Sequence, residues 1–296
     1  MSMNTFFLKP VVGEELPVVE VLDIGAMPEG NDRYQPLVAQ GLAHVTGFEP
    51  APEQFKKLQE RQGPYRYHPV FLGPGGPASF QIARYPGCSS LLEPDPAVID
   101  MFVSIGADPG GNFEVIARET VQTVRLDDVP DLSAPDYIKI DVQGAELMVL
   151  ENGTRALSSA LVLETEAEFV ALYKQQPLFG DLQVFLRQHG FILHKFLDIA
   201  GRSYRPIRPA NPFQATSQIL WADAVFVRDV SRLDMWGNEA LLKGALVLND
   251  IYQSYDLVHR LLAEHDRRTG SDTAVRYKQA LNRPLPRLYL SLKEYA

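Results

Sequence analysis

Asp136-Tyr137-Ile138-Lys139-Ile140-Asp141-Val142-Gln143-Gly144-Ala145-Glu146-Leu147 is the stretch on which the fold turns. Tyr137–Asp141 reads as a short, mainly apolar strand that delivers a carboxylate to its carboxyl end. Gly144 then opens a helical pattern that runs through Leu147 and Leu150 and stops near Asn152-Gly153. A buried strand, a sharp turn and a helix are the repeating unit of a parallel α/β sheet. The flanking sequence repeats that rhythm. Val18–Gly25 is β-branched and ends at a glycine, and His44–Pro50 is a second strand stopped by Pro50. Ala51–Gln62 carries Phe55 and Leu58 on one helical face. Tyr67–Leu72 reads as a third strand closed by Gly73-Pro74-Gly75-Gly76-Pro77. Further strand-like runs follow at Ala78–Arg84, Phe113–Leu126, Ala160–Glu166, Phe191–Leu197 and Ile219–Val227. A helix capped by Asp181 carries Leu182, Phe185 and Leu186 and ends at Gly190. The expected architecture is a mostly parallel central sheet flanked by helices, with the direction of the late strands left open.

After Asp229 the texture changes. Leu241, Ala245, Leu248, Tyr252, Tyr255 and Leu262 follow helical spacing. Charge shifts with it: the whole chain of 296 residues carries −9, while residues 260–296 hold 8 Lys+Arg against 4 Asp+Glu. The expected division is a domain over 1–230 and a helical C-terminal extension over 231–296. That extension is expected to pack on the main domain or on a second copy of the chain, which would make a homo-oligomer, with a dedicated partner-binding role as the alternative. The acidic balance argues against a nucleic-acid partner, which selects a basic face, and against an anionic membrane surface. No apolar run approaches the ~20 residues needed to span a bilayer, and Met1–Gly13 lacks the pattern of a secretory leader, so a cytoplasmic location is expected. Cys88, the single cysteine, excludes an intramolecular disulfide and a cysteine-rich zinc site. The six histidines form no ligand pair on one helix face, so no metal site is expected.

In sheets of this kind ligands bind outside the carboxyl ends of the strands. Asp23-Ile24-Gly25-Ala26 ends the first strand with a glycine that lets backbone approach a ligand. Glu49 ends the second, where a carboxylate accepts from both hydroxyls of an adenosine ribose. The loop Gly25-Ala26-Met27-Pro28-Glu29-Gly30-Asn31-Asp32 lacks the Gly-x-Gly-x-x-Gly pattern that cradles a pyrophosphate, and it holds Glu29 and Asp32 where phosphates would sit. A nicotinamide cofactor is disfavoured. S-adenosyl-L-methionine, with no phosphate and a cationic sulfonium, suits an acidic pocket better.

Taken together, Val21–Ala26, Gly47-Phe48-Glu49-Pro50, Cys88-Ser89-Ser90-Leu91, Arg125-Leu126-Asp127-Asp128, Lys139–Leu147 and Leu163-Glu164-Thr165-Glu166 resemble the FkbM-type methyltransferases over about residues 18–230. The resemblance implies a Rossmann-like class I fold and S-adenosyl-L-methionine as cofactor. Asp23, Gly25 and Ala26 would line its methionine part. Glu49, held by Pro50, would take the ribose, with Ser89, Ser90 and Gln143 close by, and Asp141 would face the reacting methyl group. The family carries a glutamate where this chain has Gln143, and a shorter loop where it has Met27-Pro28-Glu29. The implied activity is O-methylation of a hydroxyl on a sugar-containing or secondary-metabolite acceptor, a small molecule or glycan. Asp141, Glu164 and Glu166 are the candidate bases at adjacent strand ends, with Asp141 and Glu164 foremost. The rival reading is a non-catalytic binding protein that retains the fold.

Other residues have plainer readings. Cys88 has no Cys/His/Asn arrangement and reads as an inert buried thiol. Asp127-Asp128 reads as a helix cap or solvated pair. Arg202, Arg205 and Arg208, three apart in a proline-containing loop, offer either a lid over an anionic acceptor, such as a sugar acid or nucleotide-sugar, or three solvated side chains.

Overall fold

The computed structural model describes residues 6–13, 16–28 and 32–281. The chain divides into two compact units. One comprises residues 20–30 and 44–230; the other comprises 1–19, 31–43 and 231–296. The helical unit is therefore assembled from three stretches of sequence rather than from 231–296 alone. Residues 1–19 and 31–43 group with it and not with the sheet-bearing unit.

The larger unit is built on a seven-stranded sheet. Its strands are β1 (Val19–Ile24), β2 (Ala43–Phe48), β3 (Tyr65–His68), β7 (Tyr137–Ile140), β8 (Val162–Glu168), β9 (Phe191–Arg202) and β10 (Gln218–Arg228). Their spatial order is β3-β2-β1-β7-β8-β10-β9. Counting only strands of this sheet, that is 3-2-1-4-5-7-6. The β2–β3, β1–β7 and β7–β8 pairs are parallel, whereas β10 runs antiparallel between β8 and β9. The order reverses beside β1, so the carboxyl ends of β1 and β7 meet at the switch point where such sheets bind ligands.

The strands form as their sequences dictate. Ile138, Ile140 and Leu163 are fully buried with Leu22, Ile24 and Phe226 in one core cluster, to which Leu150, Leu157, Leu182 and Leu186 add the helix faces. Burial on both faces is what near-continuous apolar strands require. The helix after β7 spans Glu146–Glu151, a second follows at Thr154–Ser159, and a third covers Phe179–Gln188. Asp127 accepts from the Arg155 backbone N–H at 3.1 Å, so it caps the helix beginning at Thr154. Asp181 lies inside its helix rather than at the cap: from the first turn it accepts from Leu178 N at 2.9 Å.

The run expected as one strand over Tyr67–Leu72 is two. β3 ends at His68, Pro69 interrupts, and β4 (Phe71–Leu72) joins a separate sheet with β5 (Gly76–Ala83) and β6 (Val115–Val124) in the order β4-β6-β5. A proline has no N–H for a ladder, so the break falls where pairing cannot continue. β5 and β6 pair antiparallel, and the long excursion between them, residues 84–114, supplies one wall of the site described below.

In the helical unit, Asn238–Asp250, Tyr255–Thr269 and Thr273–Ala280 are helices, broken at Tyr252–Ser254. Leu241, Ala245, Leu248 and Leu262 are wholly buried, as their spacing demands. Buried Asp250 accepts from Leu8 N at 3.0 Å and from the Gln40 amide at 2.8 Å, and Tyr277 donates to Asn249 at 2.6 Å. These bonds tie the N-terminal and 31–43 segments to the helices, a job that apolar spacing alone does not reveal. No helix among the described residues is long and apolar enough to cross a membrane.

Candidate active site

The turn after β1 is set by backbone geometry. Gly25 has φ +81°, and a Cβ there would lie 1.9 Å from the Asp141 carbonyl oxygen. Only glycine tolerates both conditions. Gly25 N and Ala26 N both donate to Phe48 O at 3.0 Å, and Asp141 N donates to Ile24 O at 3.0 Å. The ends of β1, β2 and β7 are thereby locked together. Asp23, wholly buried, pairs with Lys139 Nζ at 3.4 Å in direct register on β7, and Lys139 in turn sits opposite Glu164 on β8. Asp23 is thus the first member of a charged row across the sheet.

Glu49, buried just past β2, accepts from Ala51 N at 2.7 Å, which fixes its carboxylate at the strand end beside Pro50. The 27–28 turn is held from below: Arg61 donates to Pro28 O at 3.0 Å and to Met27 O at 3.4 Å. Arg61 also donates to the Tyr67 hydroxyl at 3.2 Å, whose pKa burial pushes up to about 12. Of the two loop carboxylates, Glu29 lies outside the described residues.

At the end of β7 the chain passes through Gln143 with φ +57°, uncommon for a residue with a side chain, and then Gly144 with φ +90°. Such conformations persist where surroundings over-determine them, and here they do. Ser90 Oγ donates to Gln143 O at 2.7 Å, and Glu146 Oε1 accepts from Val142 N at 2.8 Å and Gly144 N at 3.1 Å. Ser90 is accordingly occupied in holding the turn. Ser89 Oγ accepts from Ala83 N at 3.1 Å and holds the start of the 84–114 excursion. The Gln143 amide nitrogen donates both to Asp141 Oδ1 at 2.9 Å and to Glu166 Oε2 at 3.0 Å. One neutral donor thus bridges the carboxylates of two adjacent strand ends.

A cavity of about 770 Å³ opens on the far side of that bridge. Gln143, Glu166 and Glu168 line it at the sheet, with Tyr173, Phe113 and Tyr85 among its aromatic lining and Arg202, Phe213 and Trp221 on the strand side. Its size is in the range of small-molecule sites. Glu164 does not line it: that carboxylate lies within the sheet and accepts from the Tyr137 hydroxyl at 3.4 Å. Glu166, two residues on along the same face of β8, is the one the cavity reaches. Burial, reinforced by the neighbouring charges of Asp141 and Glu168, holds the Glu166 carboxyl well above the usual range. Glu168 is raised by the same burial and by the charges of Glu146 and Asp141, and its Oε2 is buried without a hydrogen-bond partner. Burial also raises Glu146, to about 7.

Asp141, Glu146 and Glu166 each bring an oxygen within 4.8 Å of the others, close enough to share protons or a cation. The histidine and cysteine spacings that sequence reading inspects for metals do not register such a cluster. Cys88 also lines the cavity, but burial pushes its thiol up to about 12, so it stays protonated and unreactive.

The strand order, the glycine turn at the switch point and the acidic residue closing β2 define a Rossmann-like methyltransferase fold. Residues 23–193, more than half of the chain, match the methyltransferase FkbM domain, and the chain belongs to that family. Among solved structures, it is similar to magnesium protoporphyrin IX methyltransferase from Synechocystis PCC 6803 at 14% identity, covering 73% of this chain and 72% of that one with a TM-score of 0.37. A TehB-like methyltransferase from Corynebacterium glutamicum matches at 12% identity, covering 75% and 92%, with a TM-score of 0.34. TYW2 from M. jannaschii matches at 9%, covering 75% and 74%, with a TM-score of 0.33. The family assignment rests on the domain match and not on these likenesses. A search of curated proteins finds no match.

The structure brings Asp23, Gly25, Ala26, Glu49, Pro50, Asp141 and Gln143 to one edge of the sheet and leaves Glu164 behind it. Glu168 escaped sequence reading because β8 extends two residues past the expected end. The alternation Glu164-Thr165-Glu166-Ala167-Glu168, carboxylates on one face of a buried strand, was the available signal. Nothing local in sequence announces the Arg202–Phe213–Trp221 wall.

Proposed function

We propose that this chain binds S-adenosyl-L-methionine at the Asp23–Ala26 and Glu49 edge and methylates a hydroxyl oxygen of a small acceptor held in the cavity. The bridge from Gln143 to both Asp141 and Glu166 carries this reading, because it joins the cofactor edge to the cavity floor through one side chain. The residues fit the cofactor. Gly25 leaves room for close backbone approach, Glu49 offers a fixed carboxylate for a ribose diol, and no phosphate cradle competes. When bound, the cofactor supplies an activated methyl group, so the protein's task is alignment and exclusion of water. The aromatic walls, among them Phe113 and Tyr173, would help to keep water from the acceptor. Glu166 is the residue we assign to the acceptor's proton: a carboxyl raised by burial matches a base working near neutral pH better than an ordinary one. Gln143 orients it, and Asp141 flanks the reacting end.

The acceptor we favour is a sugar-containing or secondary-metabolite hydroxyl compound, and the setting cytoplasmic. Gln143 standing where the family carries glutamate favours the one rival, a binding protein that keeps the fold without turnover. Calorimetric titration with S-adenosylmethionine, S-adenosylhomocysteine and NADH separates the readings. Binding of both adenosyl ligands and not NADH is expected; selective NADH binding, or no adenosyl binding, would sink the proposal. Turnover on an acceptor panel then divides enzyme from binder.

A further inference from the structure

The three arginines of the 202–208 loop have different fates. Arg205 is committed to backbone: its Nε donates to Phe102 O at 2.7 Å and its Nη2 to Ile105 O at 2.9 Å, pinning the 84–114 excursion. Arg208 is exposed and does not line the cavity. Arg202 lines it. Its guanidinium stacks on Trp221 at 4.9 Å and on Phe213 at 5.2 Å, and one Nη donates to Gly201 O at 2.7 Å. Its Nε is buried and has no hydrogen-bond partner, and no carboxylate pairs with it among the described residues. Burial alone acts on its pKa, in the direction that disfavours the charge.

A guanidinium stays protonated under such conditions, so the fold retains a half-buried cation, its Nε desolvated, offset by two aromatic faces and one carbonyl. An apolar residue of similar volume at this place would be better tolerated. An uncompensated cation in a cavity wall is what an anionic ligand requires, because a guanidinium offers a fork of donors matched to an oxyanion. The cavity's acidic floor does not oppose this. Burial raises the carboxyls of both Glu166 and Glu168, which lessens the negative charge that this floor presents to a ligand.

We propose that the acceptor is a hydroxylated ring compound bearing an oxyanion group, which pairs with Arg202 between Trp221 and Phe213 while its hydroxyl is presented to Gln143 and Glu166. This rests on the reading that the cavity receives the methyl acceptor. It names the anion as the recognition element and Arg202 as the specificity-determining residue.

Benzoate and benzamide, matched in shape and differing in charge, are suitable probes, read by ligand-observed NMR on the full chain. Benzoate is expected to bind at least ten times more tightly than benzamide. Arg202→Gln should erase the difference, and Arg202→Lys should retain part of it. S-adenosylhomocysteine titrated into the same samples keeps the two proposals apart, and an unchanged affinity in Arg202→Gln also shows that the variant is folded. Equal binding of the two probes, no benzoate binding, or an undiminished benzoate preference in Arg202→Gln would each overturn the inference, even where adenosyl binding is intact. Loss of adenosyl binding alone, with the benzoate preference intact, would instead overturn the cofactor reading.

Discussion

The two sides of the Gln143 bridge are built by different means. On the β1–β2 side, position is fixed by backbone: Gly25 in a left-handed turn, amides donating to Phe48 O, and Glu49 held at a strand end by its own loop. On the cavity side, position is fixed by side chains that meet from distant segments. The 84–114 excursion, the β8 carboxylates and the β9–β10 pair with its intervening loop contribute together. If the first side takes the cofactor and the second the acceptor, as proposed, such a site can keep one chemistry while the acceptor changes. It should also be divisible by mutation, one half at a time.

The sharpest division is Glu166→Gln. The amide keeps the shape but removes the proton acceptor, so methyl transfer should fall by about a hundredfold or more while S-adenosylhomocysteine affinity stays put. A matching loss of cofactor affinity would mean the two halves are not separable. Gly25→Ala comes next. A Cβ 1.9 Å from the Asp141 carbonyl, at positive φ, should cost about 2–4 kcal/mol of stability, read from chemical denaturation. An unchanged midpoint would show that the β1 turn is looser than described.

A third effect is a pH dependence of stability that originates on the cavity side. An acid whose pKa rises on folding keeps a proton that the unfolded chain has released, so its contribution is lost as pH increases. For Glu146 that window runs from its ordinary value of 4.5 to about 7, and Glu166 and Glu168, raised in the same direction, add to the loss. The melting temperature should therefore fall between pH 5 and pH 7, and Glu168→Gln should make the slope shallower. A melting temperature that rises over this range would contradict the buried-acid account. The smallest effect is expected from Cys88→Ala, below twofold on turnover, because that thiol is protonated and spectating.

The same contrast explains what was legible in the sequence. Strand-end motifs such as Asp23–Ala26, Phe48–Pro50 and Lys139–Leu147 are local, and so were the sheet, the helix after β7 and the strand ends that meet at the switch point. The work of Ser90 was not legible, since its bond to the Gln143 carbonyl spans 53 positions. The sequence puts Glu164 ahead of Glu166 whereas the cavity reaches Glu166, because which of two residues on one strand face meets a cavity depends on the loops above it. The split of Tyr67–Leu72 between two sheets turned on Pro69, a visible breaker. The union of residues 1–19 and 31–43 with the C-terminal helices depends on buried polar bonds to Asp250 and Asn249 that no periodicity encodes.

The most direct test of the central claim is titration of S-adenosylhomocysteine into the wild-type chain, Glu49→Ala and Glu166→Gln side by side. The account predicts one site per chain in the wild type, at least tenfold weaker binding in Glu49→Ala, as expected for loss of hydrogen bonds to a charged acceptor, and wild-type binding in Glu166→Gln. Equal binding by all three, or by none, would contradict it.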